Sequence, residues 1–425
     1  MERGLTRLLS ACAGRGLGAR VSLMFAAMFV IAGTQLPYLP IWLDWAGLNA
    51  GEIAGIAAMP MVVRVVITPV VAFAADRSGD HRRFLIGLAW AAMAVALVLG
   101  QTRGFWPILL LSLMFAVAVS TIMPLTETVA MRGVRSAGLD YGRMRLWGSL
   151  SFIAASFCGG FAIARLGASA VIWMLAGGAT LTALAAHGLS GASAAVGETV
   201  AKGNDTPSAA GKPRLSLADA MGLMRSRLFL AFLLAVGAVQ AAHATFYAFG
   251  TLHWAAQGIS SSWAGTLWAI GVTVEIALMA FSGAVVRRVG AAELIVLGAL
   301  ASVLRWLAMG FDPPLAALIW LQALHGLTYG ATHIGAFYLM TRTVPEPQAG
   351  TAQALYASIT AGIAMGGAML VSGQLYATWG GRTYWAMAAL AAIGLVASVA
   401  VRRMWKRSQT GPDPQGLTPS PPELR

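Results

Sequence analysis

One acidic residue inside a long hydrophobic stretch is the first group in this sequence that could do chemistry. The stretch covers residues 263–286, and Glu275 lies near its middle. About 20 apolar residues let a helix cross a bilayer, whereas an ionised carboxylate at the bilayer centre costs about 3 kcal/mol. Glu275 must therefore be protonated, paired with a cation or turned towards water. At helical spacing its face also carries Gly271 and Met279, which is typical of a helix lining an internal pathway.

Further charges lie at matched depths in neighbouring hydrophobic segments. Glu127 and Arg145 are each about nine residues from the loop between them, so on adjacent antiparallel helices they could pair. Glu275 and Arg305 are each about 15 residues from their loop, or roughly 22 Å of helix, and Arg64 is similarly placed. These charges indicate a polar cavity. A structural ion pair is the alternative for Glu127 with Arg145, and a counter-ion role is the alternative for Arg64 and Arg305.

Polar residues recur at helical spacing in three other hydrophobic segments. The three sets are Thr34, Tyr38, Trp42 and Trp45; Gln240, His243, Tyr247 and Thr251; and Gln322, His325, Tyr329 and Thr332. Each set places its members on one helix face, as expected for residues that face a common cavity. Hydrogen-bonded packing is the competing interpretation for His243, His325 and the neighbouring His333.

The composition is that of a helical membrane protein. Of the 425 residues, 58 % are hydrophobic and 11 % are charged, against about 25 % charged in an ordinary soluble domain. The net charge of +13 is spread over short loops, so we expect no nucleic-acid partner. Cys12 and Cys158 form neither a disulfide framework nor a metal motif. With no nucleophile elbow or phosphate loop either, we expect neither an enzyme nor a bound cofactor or metal.

Twelve hydrophobic segments, numbered here as spans 1 to 12, divide the chain into two halves. They cover residues 20–44, 50–74, 83–101, 105–132, 142–164, 168–188, 226–254, 262–286, 291–310, 314–341, 349–377 and 380–403. The predicted parts are a leader (1–19), a six-helix half (20–189), a linker (190–222), a second six-helix half (223–404) and a disordered tail (405–425). We therefore predict an all-α integral membrane fold with twelve transmembrane helices.

Basic residues predict the orientation. Of the 29 lysines and arginines, 24 fall on the side of the two termini, and only Arg103, Arg165 and Arg382 fall on the other. Cytoplasmic loops carry the excess of such residues, so both termini are expected in the cytoplasm. The motif from Tyr38 to Trp45 recurs 209 residues later as Tyr247 to Trp254. Such a repeat favours parallel halves around a central site, a transporter architecture, although hydrophobic segments also resemble one another by chance.

The loop after span 2 resembles a signature of the major facilitator superfamily. Its residues are Asp76, Arg77, Gly79, Arg82 and Arg83. The signature differs in having a glycine where this chain has Ala72 and in lacking the interruption at Asp80. The resemblance implies a gating loop and the twelve-helix fold of that superfamily.

Four other motifs resemble the phenylpropionate-permease-like branch of that superfamily, which is related to the lactose permease and to nucleoside and sugar proton symporters. They lie at 141–152, 267–276, 305–306 and 325–333. The resemblance covers residues 20–403 and implies that Glu127 and Arg145 hold the substrate. It also implies substrate and proton-coupling roles for Glu275, Arg305 and His325. The lactose permease has a glutamate one turn after this histidine where this chain has Thr328, so the proton carrier here would be Glu275.

We therefore expect a monomeric, proton-coupled symporter in the inner membrane of a bacterium, which imports an aromatic acid, a nucleoside or a sugar. The candidate substrate-binding residues are Glu127, Arg145, Tyr38, Trp147, His243, Tyr247 and Tyr329, and the candidate proton-coupling residues are Glu275, Arg305, His325 and Arg64. The expected partners are the small-molecule substrate, protons and the lipid bilayer. Proton-antiport efflux is the alternative within transport, and a scaffold or sensor with the same fold is the alternative outside it.

The orientation can be tested with reporter fusions at Lys202 and after Arg407. We expect both fusions to be active only with a cytoplasmic reporter, because the basic residues cluster on that side. A fusion after Arg103 serves as the control, with the opposite result expected. Periplasmic activity at Lys202 or after Arg407 would contradict the orientation.

Overall fold

A computed structural model of the protein describes residues 2–78, 80–189 and 217–410, which are helices joined by short loops. Ten helices in these ranges are long and apolar enough to cross a membrane by length and composition. One of the ten, over 346–409, contains both span 11 and span 12, while span 10 is interrupted by a π-helical turn. Helical segments thus cover all twelve predicted spans.

The first half is built from six continuous helices. They are Glu2–Trp45, Ala50–Ser78, His81–Leu99, Phe105–Ala137, Tyr141–Leu166 and Ala170–Gly188. The first helix starts inside the predicted leader. The predicted linker lies outside the described residues except for 217–222, which belong to a short helix before span 7.

The helices of the second half are more often interrupted. They are Leu217–Arg225, Arg227–Ala241, Ala244–Ala256, Ser261–Ala280, Ser282–Val289, Ala291–Met309, Leu315–Ala323, Thr332–Thr343, Ala349–Tyr356, Met365–Trp379 and Thr383–Thr410. Short 3₁₀ turns lie at Glu346–Gln348 and Gly380–Arg382, and π-helical turns lie at Gly326–Ala331 in span 10 and Ala357–Ala364 in span 11. The last helix includes 405–410 of the predicted tail, and 411–425 lie outside the described residues.

Side-chain caps fix where several spans begin. Asp80 accepts a hydrogen bond from the backbone N–H of Arg83 at 3.0 Å, and Asp140 does the same for Arg143 at 3.1 Å. Such caps satisfy backbone donors that have no partner in the first helical turn. Asp80, which interrupts the basic run of the loop signature, is therefore explained as the N-cap of span 3.

The two halves meet tightly at the end of the bundle opposite the termini, which we call the far end. Gly160 in span 5 lies against the carbonyl of Ser261 at the start of span 8, and Gly265 lies against the carbonyl of Ser156. The Tyr38 hydroxyl of span 1 donates to the same Ser156 carbonyl. A Cβ atom at either glycine would overlap backbone, so glycine is required for this contact.

A second contact between the halves joins spans 2 and 11. Gly373 packs against Ala54, and Gly362 against Val65, so the crossing runs from the far end to mid-bundle. Together the two contacts hold the halves together at the far end. The space between the halves is thereby left at the end where the termini lie.

The glycine contact predicts a conformational effect of Gly160→Ala and Gly265→Ala. Each added Cβ should overpack the crossing by about 1–3 kcal/mol, shifting the equilibrium about 5- to 150-fold towards a state open at the far end. A Leu43→Cys probe, made after both native cysteines are replaced by serine, reports this opening as faster labelling by an impermeant maleimide.

The matched control is Gly177→Ala in span 6, where an added Cβ meets nothing within 4 Å. Its labelling rate should equal that of the parent. Equal rates in all three glycine variants would contradict a role for the crossing in closing the far end.

Candidate functional site

The space between the halves is a cavity of about 830 Å³. Spans 1, 4 and 5 line one side and spans 7, 8, 10 and 11 line the other; the charged and polar members are Glu127, Tyr141, Arg145, Ser149, Tyr247, Glu275, His325, Tyr329, His333, Gln353 and Tyr356. The cavity extends to Tyr141, the first residue of the helix Tyr141–Leu166, and to Gln353 in the first turns of span 11. It therefore reaches the end of the bundle that carries the termini.

Glu275 lies on the wall of this cavity beside His325. Its Oε2 atom is 3.5 Å from His325 Nε2, and its side chain is 17 % exposed. The other ring nitrogen, Nδ1 of His325, is 3.1 Å from Nη1 of Arg305. Because a guanidinium can only donate hydrogen bonds, Nδ1 must be the acceptor and Nε2 must carry the proton. His325 is therefore neutral in this arrangement, and its protonated nitrogen is the one 3.5 Å from Glu275.

Arg305 is fully buried and is held by neutral partners. Its guanidinium donates to Gln322 Oε1 at 2.9 Å and to Thr328 Oγ1 at 3.2 Å, in addition to the bond to His325. It also stacks over Trp306, with 4.4 Å from Cζ to the ring centroid. Arg305 and Glu275, which were predicted to lie at one depth, do not contact each other directly, because His325 lies between them.

His243 extends the same hydrogen-bond chain away from the cavity. Its Nδ1 atom lies 3.1 Å from the Val239 carbonyl and must donate, so Nε2 accepts from the Thr328 hydroxyl at 3.1 Å. His243 is fully buried and does not line the cavity. The structure thus places it as a hydrogen-bonded packing residue and not at the predicted substrate-binding surface.

Glu127 and Arg145 lie on the opposite wall and interact through Tyr141. The Tyr141 hydroxyl donates to Glu127 Oε1 at 3.2 Å and also interacts with Arg145. The Arg145 guanidinium stacks on Phe29 with 4.1 Å from Cζ to the ring centroid. Between the two charged groups the structure has no direct ion pair, and Arg145 is within electrostatic reach of Glu275.

The remaining predicted substrate residues are divided between the cavity and other surfaces. Tyr247 and Tyr329 line the cavity, whereas Tyr38 belongs to the far-end contact. Trp147 is 56 % exposed on the outside of span 5. Two residues beyond Arg145 correspond to about 200° of helical rotation, so when Arg145 faces the cavity Trp147 cannot.

The predicted gating loop is only partly described. Arg77 and Arg83 are exposed, and Arg83 forms an ion pair with Asp80 at 2.9 Å. Arg82 donates to the carbonyl of His187 at 3.2 Å, which ties the loop to the end of span 6. Gly79 and the side chain of Asp76 lie outside the described residues.

Three features of the site were not predicted from the sequence. Tyr141 bridges Glu127 and Arg145, and its spacing of four residues before Arg145 would have placed both on one helix face. The π-helical turns of spans 10 and 11 have no comparable sequence signal. π-helical turns often occur at functional sites, and the one in span 10 begins directly after His325.

The sequence matches the MFS_1 like family over residues 19–387, and the chain belongs to this family of the major facilitator superfamily. Its fold and family therefore define a multi-pass membrane transporter, which is not an enzyme.

Similar proteins carry transporter names. The probable 3-phenylpropionic acid transporter of Escherichia coli (strain K12) is 28 % identical over 382 residues, covering 87 % of this chain and 94 % of that protein. The maltose permease of Geobacillus stearothermophilus is 29 % identical over 377 residues, covering 84 % and 87 % respectively. The crystal structure of the nucleoside transporter NupG superposes with a TM-score of 0.73 at 18 % identity, covering 92 % of this chain and 99 % of that one.

The buried chain of hydrogen bonds predicts a stability effect of Thr328→Val. The substitution keeps the shape but leaves an N–H of Arg305 and Nε2 of His243 without their partner, which should cost about 1–3 kcal/mol of unfolding free energy. Thermal unfolding in detergent should show a lower Tm. The control is Thr182→Val, since that buried hydroxyl bonds only the carbonyl of Gly178 in its own helix. Equal Tm values of the two variants would contradict a stabilising role of this hydrogen-bond chain.

Proposed function

We propose that this transporter is a proton-coupled symporter of the bacterial inner membrane, which imports a small organic solute by alternating access. The observation that carries the proposal is the position of Glu275 on the cavity wall, 3.5 Å from a histidine whose other nitrogen is held by Arg305. Of these two residues, Glu275 and not His325 is then the group proposed to gain and lose a proton beside the substrate. The basic-residue count supports cytoplasmic termini, and the chain is proposed to act as a monomer.

The charges around Glu275 support the coupling step. Protonated Glu275 is neutral and can accept the hydrogen bond from His325 through its carbonyl oxygen. Ionised Glu275 is attracted by Arg145 across the cavity. Rearrangement of the halves changes the separation between spans 5 and 8, which carry these two residues. Proton binding to Glu275 would thereby depend on which side the cavity faces, and that dependence is what coupling requires.

The cavity lining supports a solute that has both a ring and polar groups. Aromatic side chains from both halves face the space; they are Phe29, Tyr141, Phe152, Tyr247, Trp268, Tyr329, Phe337 and Tyr356. Such side chains favour rings by stacking and edge contacts. The volume of about 830 Å³ is within the range of small-molecule sites. An aromatic acid, a nucleoside or a sugar fits this lining, and the names of the similar proteins cover the same three classes.

Glu275→Gln tests the proposal because the amide imitates a permanently protonated carboxyl group. The variant should still bind the solute and exchange it across vesicle membranes. It should fail to accumulate the solute against a gradient when a proton gradient is imposed. Both measurements belong in one vesicle preparation, with 3-phenylpropionate as the first solute.

The matched control is Glu293→Gln, because Glu293 pairs with Lys406 outside the cavity. It should accumulate solute as the parent does. If Glu275→Gln also accumulates solute normally, Glu275 is not the proton carrier. If it loses exchange together with accumulation, Glu275 is a substrate ligand or a structural partner instead.

A further inference from the structure

A second cavity, of about 300 Å³, lies between the central cavity and the far end of the bundle. It is lined mainly by spans 1, 2 and 4, with one residue each from spans 5, 7 and 11, namely Phe152, Tyr247 and Met369. Leu36, Phe152 and Tyr247 line both spaces, so the second cavity adjoins the central one. We call it the span 1–2–4 pocket.

The pocket is apolar except for four side chains. They are Arg64, Gln35, Ser120 and Tyr247. The Ser120 hydroxyl forms a hydrogen bond with the Thr68 hydroxyl at 3.3 Å. The Gln35 amide, in contrast, has no hydrogen bond with the described part of the chain. An amide has two donor hydrogens and a carbonyl acceptor. Gln35 therefore offers unused hydrogen-bonding groups beside an apolar space.

Arg64 has hydrogen-bonding capacity that the described part of the chain leaves unused. Of the five N–H donors of its guanidinium, one contacts the carbonyl of Ala361 at 3.3 Å. It has no ion pair with an acidic residue among those described. Arg145 differs in having two carboxylates within electrostatic reach, and Arg305 in having three neutral partners. An added anion at Arg64 would therefore displace no carboxylate of the described part of the chain.

The acceptor of Arg64 lies in an unusual backbone segment. Ala361 is part of the π-helical turn 357–364 of span 11, directly at the crossing with span 2. The hydrogen bond therefore joins the two halves where their contact ends and the cavities begin. A carboxylate is a stronger acceptor than a neutral carbonyl, so an anion at this position would compete for Arg64.

We propose that the span 1–2–4 pocket is a substrate subsite, in which Arg64 and Gln35 bind the carboxylate of an aryl-alkyl monocarboxylic acid and the apolar wall takes its ring. An apolar cavity of about 150 Å³ is enough to bind benzene, so about 300 Å³ accommodates a phenyl ring with a short chain. The inference rests on the proposed function and narrows its three solute classes to one. It assigns the anion to Arg64 and not to Arg145.

The charge part of the inference is tested by calorimetric binding of two probes to the purified full-length protein. The probes are 3-phenylpropionate and its neutral counterpart, 3-phenylpropanamide. The parent should prefer the acid. Arg64→Gln should weaken binding of the acid about ten- to a hundredfold and leave binding of the amide near the parental value. Unchanged amide binding also shows that the variant is folded.

Two further variants locate the anion. Arg135→Gln, at an exposed residue in the last turn of the helix Phe105–Ala137, removes one positive charge outside the pocket and should preserve the preference. Arg145→Lys keeps its charge but loses the planar fork, and it too should preserve the preference for the acid. If Arg145→Lys abolishes the preference while Arg64→Gln keeps it, the anion sits at Arg145 and the inference is overturned.

The ring part is tested by filling the pocket. Ala116→Leu on its span 4 wall should weaken binding of both probes about tenfold, because the added atoms occupy the space of the ring. Ala94→Leu, on an exposed face of span 3, is the matched control and should bind both probes normally. Parental affinity in Ala116→Leu would show that the pocket is an empty space between the helices and not a subsite.

Failure of this inference differs from failure of the proposed function. If the parent accumulates 3-phenylpropionate with protons while Arg64→Gln and Ala116→Leu bind it normally, transport stands and the subsite is wrong. If the parent binds neither probe, the monocarboxylate class is wrong. Proton coupling is then judged separately by Glu275→Gln with a nucleoside or sugar.

Discussion

Arg305 is a charged side chain with no exposed surface, and it sets the direction of every hydrogen bond around it. A guanidinium cannot accept a hydrogen bond, so the nitrogen of His325 that faces it must accept. The remaining proton of His325 then points at Glu275. The Thr328 hydroxyl accepts from Arg305, and its single proton can go to Nε2 of His243 or to the carbonyl of His325. One permanent charge thus determines which nitrogen of His325 carries the proton, whereas the Val239 carbonyl determines it for His243. Of the pair Glu275 and His325, Glu275 is the group that can change its protonation.

The surrounding helices maintain this arrangement by different means in the two halves. In the first half, long continuous helices carry Glu127 and Arg145, with Tyr141 between them. In the second half, a π-helical turn starts directly after His325 and includes Thr328 and Tyr329. The glycine contact between spans 5 and 8 closes the far end. Arg145 lies on span 5 and Glu275 on span 8, and the contact between these two spans must break when the cavity changes sides. In the proposed mechanism, this links protonation to conformation.

Much of this architecture could be predicted from the sequence, because helix rise per residue is constant. Depth from a loop placed Glu275 and Arg305 at one level, and they are indeed joined through His325. Depth does not determine the rotation of a helix about its axis. The prediction that Trp147 contacts substrate therefore differed from the structure, in which that residue faces outward.

The sequence pattern also could not predict the contact partners of Tyr38 and Arg64 or the π-helical backbone of span 11. Tyr38 repeats Tyr247 in sequence, yet only Tyr247 lines the cavity, because two glycines on other spans draw Tyr38 into the far-end contact. Ala361, which accepts the hydrogen bond of Arg64, lies in the π-helical turn of span 11, and that turn has no distinct composition. Both arrangements arise from packing between segments that are far apart in the chain.

The tautomers of His325 and His243 test the central claim most directly. Nitrogen-15 NMR of the protein labelled at histidine distinguishes a protonated from an unprotonated ring nitrogen, and the signals can be assigned by their loss in His325→Gln and His243→Gln. The account predicts a neutral His325 with its proton on Nε2 and a neutral His243 with its proton on Nδ1. It also predicts that both stay neutral when substrate binds. An imidazolium signal from His325, or a proton on its Nδ1, would contradict the control by Arg305 and would make His325 the proton carrier instead of Glu275.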